Sequence, residues 1–431
     1  MPSCHTLDRL VVTASDRHAV ANAGLILPAT LAARLDLETA ANQVINLGGR
    51  PGHFEPGAKV LTLIHALLAG GDCIDDADVL RCGATEQVLG HRVVAPSTLG
   101  TFLRSFTFGN VRQLDRLSEI ALGQAWAAGA GPGAAALTLD LDSTVAEVHG
   151  DAKQGAAYGY TRVLGYHPLL ATRADTGELL HVRMRKGSAH TARGASRFVT
   201  ELVGRVRRAG GCGALTVRAD SGFFSHDLMA TCRRHEVRYS ITVRMNPRIR
   251  TIIAEISESS WVDIDYTDTG IAQVAEAAYD GIRLIVRRTR ILGPQAELFP
   301  DWRLHALVTD RGGEMLELEA DHRRHAVVEL AIRDLKEGAG LRHCPSGRFH
   351  ANGAWLVIAA LAHNLLRWVA ALGFDHRGPI VAKTLRRRVL SVPGRLTRSA
   401  RRWSLALPRH WPWAAELLHA LDRLRALPRL G

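Results

Sequence analysis

The chain of 431 residues has six cysteines, at 4, 73, 82, 212, 232 and 344, and no Cys-x-x-Cys pair. That spacing excludes a zinc ribbon or a disulfide scaffold as the basis of the fold. Cys232 and His235 have ligand-like spacing on an expected helix, but no further ligand stands near them in sequence, and the pair is assigned a structural role. The N-terminus, MPSCHTLDRLVV, has no basic segment leading into an apolar one, so no secretory signal is expected. The most apolar long run, Ala351–Phe374, is interrupted by His363, Asn364 and Arg367. Those polar groups predict a buried helix and no membrane span. An intracellular, cytoplasmic (nucleoid-associated) protein with reduced thiols is expected. One absence is local: no acid lies between Asp375 and Glu416.

That acid-free stretch holds Arg377, Lys383, Arg386, Arg387, Arg388, Arg395, Arg398, Arg401, Arg402 and Arg409, with Trp403, Trp411 and Trp413 between them. Guanidinium groups pair two phosphate oxygens at once, so this arm is expected to contact nucleic acid. The whole chain agrees in sign: 54 Lys and Arg against 42 Asp and Glu give a net charge of +12. Such an excess favours an anionic partner.

Residues 1–130 read as mostly helical, with helical spacing over Leu31–Leu47 and Val60–Leu68 and the breaker GGRPGHFEPG between them. This region is expected to bind DNA ends and dimerise, or to serve as a helical cap. After the linker AAGAGPGAA (127–135) the pattern changes to strands. In ALTLDLDST (136–144) Leu137, Leu139 and Leu141 fall on one face and Thr138, Asp140 and Asp142 on the other. LTVRAD (215–220) repeats the device, and Ser221-Gly222 breaks the run. Strands at 168–173, 178–185 and 237–245 and helices at about 192–208 and 225–235 complete a β-β-β-α-β-α-β order. Residues 247–310 read as a β-rich insertion, with strands at Trp261–Tyr266, Ile282–Ile291 and Leu304–Thr309. A helix is expected over His322–Glu337, with His322, His325, Glu329 and Lys336 near one face and Arg333 one turn beyond the glutamate. Two strands each delivering an aspartate in a basic chain point to a metal site that works on phosphates.

Taken together, Asp142-Ser143-Thr144, RADSGF (218–223) and a helical Glu329 with Lys336 seven residues on resemble the DDE transposases of bacterial insertion sequences. The similarity is to the branch with a β-rich insertion and a tyrosine–arginine–glutamate–lysine signature. VHGDAKQGAAYGYTRVLGYHPLLA (148–171) and MRKGSAHTARGASRF (184–198) are similar too. The resemblance implies an α/β, RNase H-like mixed sheet over 136–346 with its insertion at about 247–310. It also implies a helical N-terminal region (1–130) and a C-terminal helix and basic arm (347–431). In such a fold the first and fourth strands lie side by side. Asp142, Asp220 and Glu329 would then be the catalytic, metal-holding acids, with Asp140 as rival to Asp142. Lys336, Arg333, Arg323, Arg324, His322, His325, Arg386, Arg387, Arg388, Arg401 and Arg402 would contact DNA. Histidines 322 and 325 stand where the signature has tyrosine and arginine. The implied cofactor is Mg²⁺ or Mn²⁺, two ions, since two ions about 3.5–4 Å apart both activate the nucleophile and neutralise the phosphoryl charge. The implied partner is double-stranded DNA, both element ends and target, handled by a homodimer. Cleavage at terminal inverted repeats followed by strand transfer is the expected reaction. A relative that binds DNA without catalysis, or an RNase H-like nuclease without strand transfer, remains the alternative.

Overall fold

In this computed structural model the described residues are 10–49, 53–150, 152–159, 161–266, 270–292, 302–376 and 378–429. Cys4, Arg377 and the 293–301 part of the insertion lie outside them. Alternating apolar residues build a mixed sheet of nine strands at the centre: Leu137–Ser143 (β1), Leu169–Arg173 (β2), Leu179–Arg183 (β3), Leu215–Ala219 (β4), Arg238–Thr242 (β5), Val262–Asp263 (β6), Gly270–Tyr279 (β7), Ile282–Ile291 (β8) and Arg303–Thr309 (β9). Their spatial order is β6-β7-β8-β9-β5-β4-β1-β2-β3. β1, β4 and β5 run parallel, and every other pairing is antiparallel. The expected adjacency of the first and fourth strands is present, with Leu137 opposite Leu215 and Leu141 opposite Ala219.

The β-rich insertion is not a separate layer. β9 pairs with β5, so the inserted strands extend the same sheet. Two elements inside it were not among the expected strands. Pro247–Ala254 is a helix, started by the Asn246 side chain, which accepts from the Ile249 amide at 2.9 Å. Gly270–Tyr279 is a strand although its Ala- and Glu-containing sequence favours a helix, because pairing along β8 overrides propensity.

The N-terminal helices Ile26–Arg34 (α1), Leu37–Val44 (α2), Pro56–Ala69 (α3), Pro96–Arg104 (α4) and Phe108–Ala125 (α5) gather around a later helix. Between them and that helix the chain adds Ala195–Arg208 (α6), His226–Arg234 (α7), the insertion helix Pro247–Ala254 (α8), Met315–Arg323 (α9) and Val327–Gly338 (α10). The gathering helix is Phe349–Gly373 (α11), the expected apolar helix. It packs on α1, α3, α4, α5 and β3, and on Ala414–Ala426 (α12). It is long and apolar enough to cross a membrane, yet its most apolar window is 94% buried inside the protein. Its polar residues dock the sheet edge. Asn364 accepts from the Leu179 amide and donates to the Leu179 carbonyl, both at 2.8 Å, and His363 bonds the Gly177 carbonyl at 2.9 Å. One apolar cluster runs from Val20 through β1 and α11 to Leu424, so the linker at 127–135 joins regions that share a core. Cys232 lies in that core, where burial pushes its thiol up to about 12, and His235 bonds the Thr200 hydroxyl at 3.1 Å.

Candidate active site

β1 and β4 end at the same level, and their carboxylates follow from that register. Asp142 and Asp220 each stand one residue past the last paired residues of the two strands, Leu141 and Ala219. The Asp142 carboxylate accepts from the Ser143 amide at 2.6 Å. Asp220 is exposed and accepts from the Gly222 amide at 2.9 Å, closing the turn that ends the strand. Glu329 is exposed in the first turn of α10, where the helix dipole favours an acid, and α10 packs against β1.

Charge ties the three together. Burial pushes the Asp142 carboxyl up to about 6, and the negative charges of Asp220 and Glu329 add to the rise, against the Ser143 amide and the His325 ring. Lys336 is half-buried near the same point. Burial lowers its ammonium, while the carboxylates of Asp142 and Glu147 draw it back up. The structure therefore brings Asp142, Asp220, Glu329, His325 and Lys336 within electrostatic reach. Among the described residues, three donors within 4.8 Å of one another occur at Asp72, Cys73 and Asp76, so the acid triad is a more open arrangement.

Asp140 is not in that group of free acids. It is 0% exposed, and Arg218, 2% exposed, grips both its oxygens at 2.7 and 2.8 Å. His325 Nδ1 lies 3.0 Å from the same carboxylate, and Arg218 continues to Asp321. A carboxylate so committed orients its neighbours and has no oxygen free for an ion. Arg218 shares a face of β4 with Asp220, and it is the pairing of β1 with β4 that sets it opposite Asp140. The sequence also left His167 unassigned. Its ring, kept neutral by burial, donates from Nδ1 to the Ala189 carbonyl at 2.7 Å and meets the Ser143 hydroxyl at 2.9 Å.

Several expected DNA contacts are corrected. The single helix over 322–337 is two helices, α9 and α10, joined by a tight turn at Arg324–Ala326. His322, at the end of α9, is turned inward and 4% exposed, held by the Ser240 and Thr242 hydroxyls at 2.8 and 2.9 Å. It has no surface to offer a phosphate. Arg386 is likewise spent internally on the Leu68 and Leu67 carbonyls at 2.8 and 3.1 Å. Arg323 pairs with Glu319 at 2.9 Å and lies over the Tyr266 ring. Arg324, Arg387, Arg388, Arg401 and Arg402 are exposed, and Arg333 is exposed at the rim of a 230 Å³ cavity beside Gly177 and Lys383.

The family described as transposase DDE domain, group 1, matches residues 5–429. This chain belongs to the DDE transposase family. The family uses divalent metal ions, and the donor set at Asp142 suits one: hard carboxylate oxygens whose mutual repulsion a cation relieves. Among solved structures, this DDE transposase is similar to a piggyBac transposase synaptic complex with hairpin DNA, at a TM-score of 0.45 and 14% identity. That likeness covers 86% of this chain and 80% of the other. A search of curated proteins gives no match.

Proposed function

We propose that the chain is an insertion-sequence transposase that cuts DNA at the terminal inverted repeats of its element and joins the ends to a target. The observation that carries this is the convergence of Asp142, Asp220 and Glu329, from two parallel strands and a crossing helix, on one electrostatic site. Asp142, Asp220 and Glu329 would hold Mg²⁺ or Mn²⁺, which supplies an activated oxygen nucleophile and neutralises the phosphoryl charge. The protein's own groups do the rest. Asp140 and Arg218 fix His325 beside Asp142. Lys336 places a cation next to the acids for phosphate, and Arg324 and Arg333 add exposed charge on the flanks. The exposed arginines of the arm track the DNA backbone, and the N-terminal helices bind the ends and pair two copies, since two ends react together. Cut-and-paste cleavage through a hairpin fits this assignment.

The test is metal-dependent nicking of a duplex carrying the element's ends. The parent should nick, and Asp142→Ala, Asp220→Ala and Glu329→Ala should each lose at least about a hundredfold in rate. If the alanine variants nick as fast as the parent, the site is elsewhere. Histidines at 322 and 325 favour a second reading, a DNA-binding relative without catalysis. It wins if the parent binds ends and never nicks.

A further inference from the structure

A phosphate track needs cations alone, and the basic arm offers more. Its strands Gly394–Ser399 and Arg402–Ala406 pair as a hairpin that is anchored at its base. There Ala19 and Val20 pair with Arg395 and Gly394, and the Leu396 amide donates to the His18 carbonyl at 2.9 Å. Leu396 and the Leu405 opposite it pack on the core. From Thr397 to Ser404 every residue is exposed. Three cross-strand pairs therefore stand clear of the protein, and a rise of about 3.4 Å per residue makes the projection roughly 10 Å long.

The middle pair, Arg398 and Trp403, sits on one face of that projection. Of the eight tryptophans Trp403 alone is exposed, at 54%. An indole left in water at the end of a ribbon forgoes the burial that indoles usually find. The Arg398 guanidinium lies over its ring at 5.4 Å, and Arg398 Nε donates to the Ala400 carbonyl at 3.2 Å. Stacking and that bond fix the plane of the guanidinium and leave its two terminal nitrogens for another acceptor. Among the described residues no carboxylate pairs with Arg398, Arg401 or Arg402, whereas Asp16 holds Arg395, at the anchored base, at 2.9 Å.

We propose that the hairpin tip enters the major groove of duplex DNA, where Arg398 and Trp403 read base edges while Arg401 and Arg402 meet the flanking phosphates. Dimensions choose the groove. Two strands about 4.8 Å apart, with their side chains, fit a groove about 12 Å wide and are too broad for one about 6 Å wide. A projection of roughly 10 Å reaches the floor of a groove about 8.5 Å deep. Chemistry chooses the readers. A guanidinium held in one plane presents paired N–H donors that match the O6 and N7 acceptors of guanine, and an apolar ring beside it suits a thymine methyl. Phosphate contacts orient a protein without distinguishing sequences, so the unpaired arginines at the tip suffice for them. The inference rests on the proposed function for its partner, DNA, and adds the residues that choose the sequence.

Selection from a pool of random-sequence duplexes, with the full-length protein and no divalent metal, tests this without any cleavage. The parent should enrich a sequence with guanine at a fixed position. Replacing that base with 7-deazaguanine, which lacks the N7 acceptor, should weaken binding at least about threefold. Arg398→Lys keeps the charge and loses the fork. It should bind the enriched duplex at least about tenfold more weakly and a shuffled duplex as well as the parent does. Trp403→Ala, which frees the Arg398 side chain, should lose the same preference. Both positions are exposed, and unchanged thermal unfolding checks that the variants are folded. An Arg398→Lys variant that enriches the parent's sequence with the parent's affinity overturns the proposal, as does full tolerance of 7-deazaguanine or a parent that enriches no sequence. Metal-dependent nicking by such a parent still leaves Asp142, Asp220 and Glu329 in place, whereas a protein that binds no duplex at all removes the proposed function as well.

Discussion

Two aspartates two residues apart on β1 have opposite fates. Asp140 is neutralised by Arg218 in the interior, whereas Asp142 faces two like charges. The alternation in ALTLDLDST put both on one face and could not separate them, because the arginine that chooses between them sits 78 residues away. A buried pair is costly to break from one side only. Arg218→Met should destabilise the protein by about 3–5 kcal/mol in urea unfolding, and Asp140→Leu with Arg218→Met together by much less. Equal losses in single and double variants would show that the pair is not the cause. Asp142 behaves in the opposite sense. Its folded value of about 6 lies above that of an unfolded aspartate, so its favourable contribution is present below about pH 4 and lost as pH rises through 6. Metal-free Asp142→Asn should therefore be more stable than the parent at pH 7–8, by roughly 1–2 kcal/mol after allowing for solvent screening, and equal to it near pH 4. Mn²⁺ should stabilise the parent above pH 6 and leave Asp142→Asn little changed. Thermal unfolding across this range checks both, and a pH-independent difference would contradict the assigned cause.

At the scale of elements, alternating strands were legible and pairing partners were not. β1, β2, β3, β4, β5, β8 and β9 lie within a few residues of their expected ranges, because each carries a period of two or an unbroken apolar run. Gly270–Tyr279 was missed because its alanines speak for a helix and only its neighbour β8 makes it a strand. The expected helix over 322–337 failed for a different reason. Its charge spacing is continuous, but His322 is drawn inward by two hydroxyls on β5, and the chain must tighten at Arg324–Ala326 to do so. That turn leaves His325, Glu329 and Lys336 on the acid side while His322 departs. The sheet edge β3 shows how an apolar helix is specified. Asn364 supplies the donor and acceptor that a further strand would have given Leu179. Asn364→Leu should leave both backbone groups unsatisfied and cost about 1–3 kcal/mol for each. Amide exchange should quicken at Leu179 before it does in β1. Unchanged protection there would mean that packing alone holds the edge.

Across the whole molecule, positive charge and apolar burial are divided. A single core takes in the N-terminal helices, the sheet and α11, and Val389, Leu390, Val392 and Leu396 anchor the acid-free arm in it while Arg387, Arg388, Arg401 and Arg402 stay exposed. The arm's two strands, Gly394–Ser399 (β10) and Arg402–Ala406 (β11), pair as a hairpin against Ala19–Val20, and β11 is mostly exposed. The Trp411 indole donates to the Arg388 carbonyl at 2.9 Å, holding the arm's aromatic end to its arginine end. Composition showed that the arm is basic, but it gave Arg386 the same standing as Arg387 and Arg388. Only the fold shows that Arg386 is consumed by carbonyls at the ends of α3 and α10. The two classes predict different losses. Neutralising Arg387, Arg388, Arg401 and Arg402 together should weaken duplex binding and flatten its log–log dependence on salt by about 0.9 per lost phosphate contact, roughly 3–4 in all. Arg386→Gln should lower the unfolding temperature and leave that slope alone, because its charge faces the interior. Binding isotherms on one duplex from low to moderate salt measure the slope directly. A slope unchanged by the fourfold variant, or flattened by Arg386→Gln without loss of stability, would place the DNA on another face of the molecule.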